Sequence, residues 1–330
     1  MSLFHHDHHH QHEHRRGFLK KSFLFLGSLA APTSFAHAER RSAPEGKSGH
    51  HLTSAPAGEP APKEAEVKKS QEPYRVFDAH LHCPSEDGAV WQWYPVTKSF
   101  EEFASYLNRA GVERGIINSV RCQLAKSSAE FIKGNREVAR YVERYRGRFV
   151  GACVVNPLFI DEALREIEDC RKQLGFVWVG ELCNYTVPYP YTIKEFEMLV
   201  QQVRKLGMVL DVHTDLPEME YIIQKYPDTT IVFPHFGPSA NDIFKRLDLV
   251  AKNHNCYMDT SGAGHERVGM LEYSMKSIGP DRVLFGSDFT INDPSGVIAR
   301  IKHSFLSEEQ KRKVLSQNLD DLLKKVQTAG

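Results

Sequence analysis

From Tyr74 onward, short apolar runs alternate with amphipathic stretches, and the runs have the length of strands. They predict strands over Arg75–His80, Arg114–Val120, Phe149–Val155, Phe176–Leu182, Met208–His213, Thr230–His235, Cys256–Thr260 and Arg282–Ser287. Between them, apolar positions repeat on one helical face, as Phe196, Leu199, Val200 and Val203 do; this is the pattern of a helix packed on a sheet. Three helix starts have capping-box spacing, Ser99 with Glu102, Ser127 with Glu130 and Thr192 with Glu195, in which side chain and backbone satisfy each other's free N–H groups. Another helix opens at Ser307–Gln310, and Ser316–Leu323 closes the chain as a barrel seal. Eight strand–helix units over ~250 residues predict an α/β fold, a (β/α)8 TIM barrel forming a single catalytic domain over residues 74–330. An open doubly wound sheet is the alternative, but no glycine-rich phosphate loop follows the first strand.

Ahead of Tyr74 the pattern is lost. Residues 39–73 are rich in Ala, Pro, Ser, Glu and Lys, a composition that cannot bury enough surface to offset ordering, and they are expected to be a disordered linker. Residues 1–38 read as a twin-arginine signal peptide with a His-rich start, His5–His14. Arg15-Arg16 is followed by an apolar run over Ser22–Ala31 and a cleavage site at Ala36-His37-Ala38. The run is shorter than the about 20 apolar residues of a membrane span, so no integral segment is expected after cleavage. These features predict periplasmic export of the folded protein by the twin-arginine machinery.

Composition narrows the partners. Hydrophobic residues make up 41% and charged residues 25% of the chain, as in soluble globular proteins. Lys+Arg and Asp+Glu both total 42, and the globular part has no basic block, which argues against a nucleic-acid partner. A small-molecule substrate is expected, and a homo-oligomer is left open. The six cysteines lack zinc-finger spacing, and no structural disulfide is expected.

The chemistry begins at Val76–Pro84, where His80 and His82 lie one residue apart on a strand and so share a face. Glu181, His213, His235 and Asp288 stand at the ends of the fourth, fifth, sixth and eighth strands, Glu181 sharing parity with Val177 and Val179. A barrel brings strand ends together at its C-terminal rim. So many charged or basic groups facing one another need a cation, so His80, His82, Glu181, His213, His235 and Asp288 form the expected metal set. Zinc suits mixed imidazole and carboxylate ligands, with manganese, iron or nickel as alternatives, and the set has room for one ion or two. Arg121 is a candidate partner for a substrate carboxylate, with a structural salt bridge as its alternative. Asn156, Asn184, Tyr185 and Ser261 are candidate pocket residues, and Trp91, Trp93 and Tyr94 either form a lid or pack their loop. Asp78 and Asp211 would lie below the metal, bonded to a ligand histidine or to backbone donors. His254, His265 and His303 are taken as surface or loop residues.

The ordered set Asp78-Ala79-His80-Leu81-His82, Gly180-Glu181-Leu182, Val212-His213-Thr214, Pro234-His235-Phe236-Gly237, Met258-Asp259-Thr260-Ser261-Gly262, Leu284-Phe285-Gly286-Ser287-Asp288 and Asn318 resembles the amidohydrolase superfamily. The nearest branch is the amidohydrolase-related (amidohydrolase 2) family, over Phe77 to about Leu323. The resemblance implies a mononuclear or binuclear metal centre that hydrolyses small carbonyl substrates or, in some members, decarboxylates without oxidation. Glu181 would bridge two ions, as an acid does in TatD-like deoxyribonucleases, or accept a hydrogen bond that fixes a histidine tautomer. The expected activity is metal-dependent hydrolysis of a small amide, ester or lactone, with Asp288 taking a proton from water activated at the metal and His235 orienting it. Two alternatives stand beside it: a decarboxylase of the aminocarboxymuconate-semialdehyde type, and a catalytically inactive metal-binding barrel that binds a ligand.

Overall fold

A computed structural model of the chain describes residues 74–91 and 96–329. The expected signal, His-rich and linker segments, together with Trp93 and Tyr94, lie outside the described residues. Eight parallel strands pair in sequence order: β1 (Phe77–Cys83), β2 (Arg114–Ser119), β3 (Phe149–Cys153), β4 (Trp178–Leu182), β5 (Val209–Val212), β6 (Ile231–Phe233), β7 (Cys256–Asp259) and β8 (Val283–Leu284). The ring closes where Ala79 N donates to Phe285 O at 2.8 Å and Leu81 bridges Phe289. The result is the (β/α)8 barrel that the alternating pattern predicts. Among the described residues no helix is long and apolar enough to cross a membrane, and all six cysteines are buried and unpaired.

Two buried clusters divide the labour. The smaller takes residues from all eight strands, among them Phe77, Ile116, Trp178, Val232 and Leu284, and so fills the barrel interior. Leu319, Leu322 and Val326 of the last helix (Asn318–Ala329) join it from below, which is the sealing role expected of the C-terminal segment. The larger cluster lies between strands and surrounding helices, with Leu81, Val179, Phe196, Leu199 and Val203 among its members.

Both strands that carry the first ligands depart from plain alternation. The ladder slips between Asp78 and Leu81 in β1, and again between Val179 and Leu182 in β4. Trp178 points into the barrel cluster and Val179 into the outer one, so the parity that groups Glu181 with Val179 does not hold. An irregularity at Gly180 returns Glu181 to the inside. A β-carbon at Gly180 would meet Asp211 O at 2.1 Å, so only glycine permits this close passage of β4 past β5. Such slips re-aim side chains at the rims of barrels. The first strand therefore continues to Cys83 rather than ending at His80, and β8 is short because the chain leaves the ladder before Asp288.

Helix starts were legible only in part. The Ser99–Glu102 box forms ahead of the helix Phe100–Ala110, and Ser307–Gln310 caps Glu308–Arg312. The other two expected boxes do not form. Ser127 makes no side-chain cap, and Glu130 instead accepts from Lys126 N at 2.5 Å. The helix Lys194–Lys205 has Ile193, not Thr192, at its N-cap. An unanticipated box, Asp215 with Glu218, opens Leu216–Lys225.

Candidate metal centre

The slips bring His80 and His82 to the rim with their Nε2 atoms 3.1 Å apart. Around them stand Glu181 Oε2, at 3.4 Å from His80 Nε2 and 3.7 Å from His82 Nε2, and Asp288 Oδ1, at 3.7 Å and 3.1 Å respectively. Glu181 also faces the other side, with Oε1 3.9 Å from His235 Nε2. Two potential ligand groups result, His80–His82–Glu181 and Glu181–His213–His235, each with its ligand atoms within 4.8 Å of one another.

The remaining ring nitrogens determine what these atoms can do. His80 Nδ1 lies 3.0 Å from Asp259 Oδ2, and His82 Nδ1 lies 2.9 Å from Asn118 Oδ1. His235 Nδ1 lies 2.9 Å from Ser261 Oγ, whose hydroxyl in turn donates to Asp259. Each partner accepts the Nδ1 proton, so each Nε2 turns a lone pair toward the centre. Lone pairs and carboxylate oxygens this close require a proton or a metal ion among them. Burial opposes charge on His80, but Glu181 and Asp259 override it and raise the imidazole well above its ordinary pKa. Burial would likewise raise the Glu181 carboxyl, yet His80, His213 and His82 hold it well below its ordinary range. Burial lowers His213 to about 4, leaving a neutral imidazole at neutral pH. A divalent cation satisfies the same negative field without a proton, and Glu181 Oε1, buried without a hydrogen-bond partner, fits that role. The donor set therefore suits a divalent ion.

The backbone bends to deliver two of these groups. His235 and Asp288 both have positive φ, 65° and 62°, a conformation that costs on the order of 1–3 kcal/mol per residue and gathers at functional sites. A β-carbon on Gly262 would lie 2.3 Å from His235 Nδ1, so the His235 ring occupies space that only glycine leaves open.

The wider candidate set separates. Tyr185 stacks edge-on against His213 with ring centroids 4.8 Å apart, and Trp91 lies 5.3 Å from His82 and 6.4 Å from Tyr185, so the two aromatics wall the centre. Arg121 is held by Asp87 at 2.6 Å and the buried Glu137 at 3.1 Å, as in the salt-bridge alternative. Asn184 donates to Glu218 at 2.6 Å, and Asn156 accepts from Leu158 N as the cap of a short 3-10 turn; both amides are engaged in local structure. Trp93 lies outside the described residues. Asp78 accepts from the backbone N–H of His80 and Ser287, with burial pushing it up to about 7, and Asp211 accepts from the Trp178 indole. Neither bonds a ligand imidazole. That task falls to Asp259, Asn118 and Ser261, of which only Ser261 was a candidate. Asp259 ends β7, and its signals in the sequence were a carboxylate closing an apolar strand and its place in the Met258–Gly262 motif. His265 is buried rather than superficial, and its Nδ1 has no hydrogen-bond partner.

The chain is 25% identical over 276 residues to a gamma-resorcylate decarboxylase of Polaromonas sp. (strain JS666 / ATCC BAA-500), covering 66% of this chain and 81% of that protein. Its fold is similar to a 2,6-dihydroxybenzoate decarboxylase from Rhizobium, with TM-score 0.61, 15% identity and coverage of 79% of this chain and 100% of the other. It is also similar to a dihydroxybenzoic acid decarboxylase from Polaromonas sp. JS666 with bound manganese and the inhibitor 2-nitroresorcinol, with TM-score 0.60, 19% identity and coverage of 76% and 97%. The amidohydrolase family model matches residues 77–323, a span that takes in every strand and each of the six expected metal ligands. The chain belongs to the amidohydrolase family.

Proposed function

We propose that this protein is a divalent-metal-dependent decarboxylase that removes the carboxyl group of a small aromatic acid without oxidation. The observation that carries the reading is the cluster of inward lone pairs from His80, His82, Glu181 and Asp288, which calls for a cation at the base of an aromatic-walled site. Arg121 and Arg246 are committed elsewhere, to Asp87 and Glu137 and to backbone carbonyls. A substrate carboxylate would therefore find its positive partner in the metal. The decarboxylase identities of the similar proteins support the reaction class.

A divalent ion held by His80, His82, Glu181 and Asp288 would supply Lewis acidity toward the substrate carboxylate. Zinc and manganese both suit the residues that hold it. Trp91 and Tyr185 press on the substrate ring and exclude water. As the carbon–carbon bond breaks, carbon dioxide leaves, the electron pair stays on the ring carbon, and that carbon takes up one proton. His235 presents Nε2 from a side chain 19% exposed, and Asp288 Oδ2 lies 3.3 Å from the Asn292 amide; these two groups are placed to hold and deliver the proton.

A second reading, hydrolysis of a small ester, amide or lactone, draws support from Glu181 facing both ligand groups, the arrangement expected of a bridge between two ions. One experiment separates the two. Incubation with hydroxybenzoic acids labelled with carbon-13 at the carboxyl should yield labelled carbon dioxide that depends on added metal. No release from the acids, with cleavage of phenyl esters or lactones, would establish hydrolysis instead. We propose also that Arg15-Arg16 and the apolar run after it direct export, as cell fractionation with and without an Arg15→Lys, Arg16→Lys change would test.

A further inference from the structure

The β5–β6 ladder pairs Leu210 with Ile231 and Asp211 with Val232, then runs out before His213 and His235. His213 is still tied to β4, its N–H donating to Leu182 O at 3.0 Å, but the β5–β6 ladder no longer sets the spacing of these two imidazoles. Arg246, on the helix Ala240–Lys252, does reach this gap. Its Nη1 donates to Thr214 O at 2.9 Å and its Nη2 to Pro234 O at 3.1 Å. Thr214 follows His213 directly and Pro234 precedes His235 directly, so one side chain ties the two ligand-bearing strand ends together.

We propose that Arg246 is the positioning residue that clamps the ends of β5 and β6 and thereby sets the separation of His213 and His235 around a bound cation. The chemistry of the side chain fits the task. A guanidinium is a flat, rigid fork whose two terminal nitrogens keep a fixed distance, so two carbonyls bound to it are held at a fixed distance as well. Arg246 is 4% exposed, and its Nε has no hydrogen-bond partner. A buried cation carries a desolvation penalty that a methionine or leucine of similar length would avoid. Helix packing alone therefore does not explain an arginine here, whereas the double carbonyl contact does. Burial draws the guanidinium down to about 10, with Asp242, Asp215 and Asp259 opposing the shift, so the fork is charged at neutral pH and keeps all its donors.

The inference rests on the reading of this site as a metal centre, and the test keeps the two apart. Full-length parent, Arg246→Met, Arg246→Lys and Leu247→Ala would each be loaded with cobalt(II) and followed by the visible absorption of the ion, by cobalt affinity and by thermal melting. Leu247, buried on the same helix, controls for loss of packing. The clamp predicts for Arg246→Met an altered cobalt spectrum and an affinity about 10–100-fold weaker, the usual scale for loss of an outer partner of a ligand, while Leu247→Ala melts lower yet keeps the parent spectrum. Arg246→Lys, with the charge kept but no fork, should also depart from the parent spectrum, and it decides the matter should the methionine variant not fold. Parent-like spectra and affinities in both Arg246 variants would overturn the clamp alone, as would Leu247→Ala reproducing their effect. A folded parent that takes up no more cobalt than a His80→Ala, His82→Ala variant carrying the same His-rich N-terminus would overturn the metal reading, and the clamp with it.

Discussion

Asp259 holds His80 directly, with Oδ2 3.0 Å from Nδ1, and its other oxygen accepts from the hydroxyl and backbone N–H of Ser261, the residue that bonds His235. One carboxylate thus fixes which nitrogen two potential ligands turn toward the centre.

Asp259→Asn tests this relationship. The amide keeps the shape, removes the charge and offers a donor where His80 needs an acceptor. Metal affinity should fall about 10–100-fold, as is usual when the partner of a ligand histidine is lost, with the circular dichroism of the parent retained. Competition titration against a chromophoric chelator measures it; an unchanged affinity would remove Asp259 from the account.

Gly262→Ala forces a β-carbon into the His235 ring at a residue whose φ is 57°. The backbone strain should cost on the order of 1–3 kcal/mol of stability. Displacing His235 by a fraction of its width should lower turnover by about a hundredfold. Denaturant midpoints and single-turnover rates report the two effects separately. Retained stability and turnover would show that the ring position is not critical.

Arg121→Ala separates the salt-bridge role of this residue from a substrate contact. Removing the guanidinium leaves Glu137, fully buried, with its charge unpaired, at a cost of about 1–3 kcal/mol. The KM for substrate should stay at the parental value, and Glu137→Leu in the same chain should recover much of the stability. A selective rise in KM with stability intact would restore the substrate contact.

Metal removal should destabilise the fold as well as silence it. An ion that binds only the native state contributes about 4 kcal/mol when present at a thousand times its dissociation constant. Melting with a chelator should therefore occur several degrees lower, and divalent metal should reverse the change. Identical melting curves with and without chelator would contradict a tightly held ion.

The sequence made the eight strands legible because each is an apolar run bounded by polar helices, and it brought six ligand candidates to one rim because each closes such a run. What it hid depends on three dimensions. The slip at Gly180 reverses the facing of Glu181 relative to Val179, and nothing in a two-residue period announces a bulge. Asp259 and Asn118 serve histidines 179 and 36 residues away, distances over which local pattern carries no information. Arg121 looked available at a strand end, but Asp87 and Glu137 approach it only once the loop after β1 and the helix Ser128–Arg144 have folded around it. Thr192 has the composition of a cap, but the helix begins after Ile193.

The most direct measurement is metal content per chain on full-length parent and on the His80→Ala, His82→Ala double variant, purified identically and analysed by plasma mass spectrometry. Both carry the same His-rich N-terminus, so any ion held there cancels in the difference. The expected result is at least one equivalent of divalent metal lost from a variant that still melts cooperatively. Equal metal content in the two folded proteins would mean that His80 and His82 hold no ion, and the centre described here would not be a metal site.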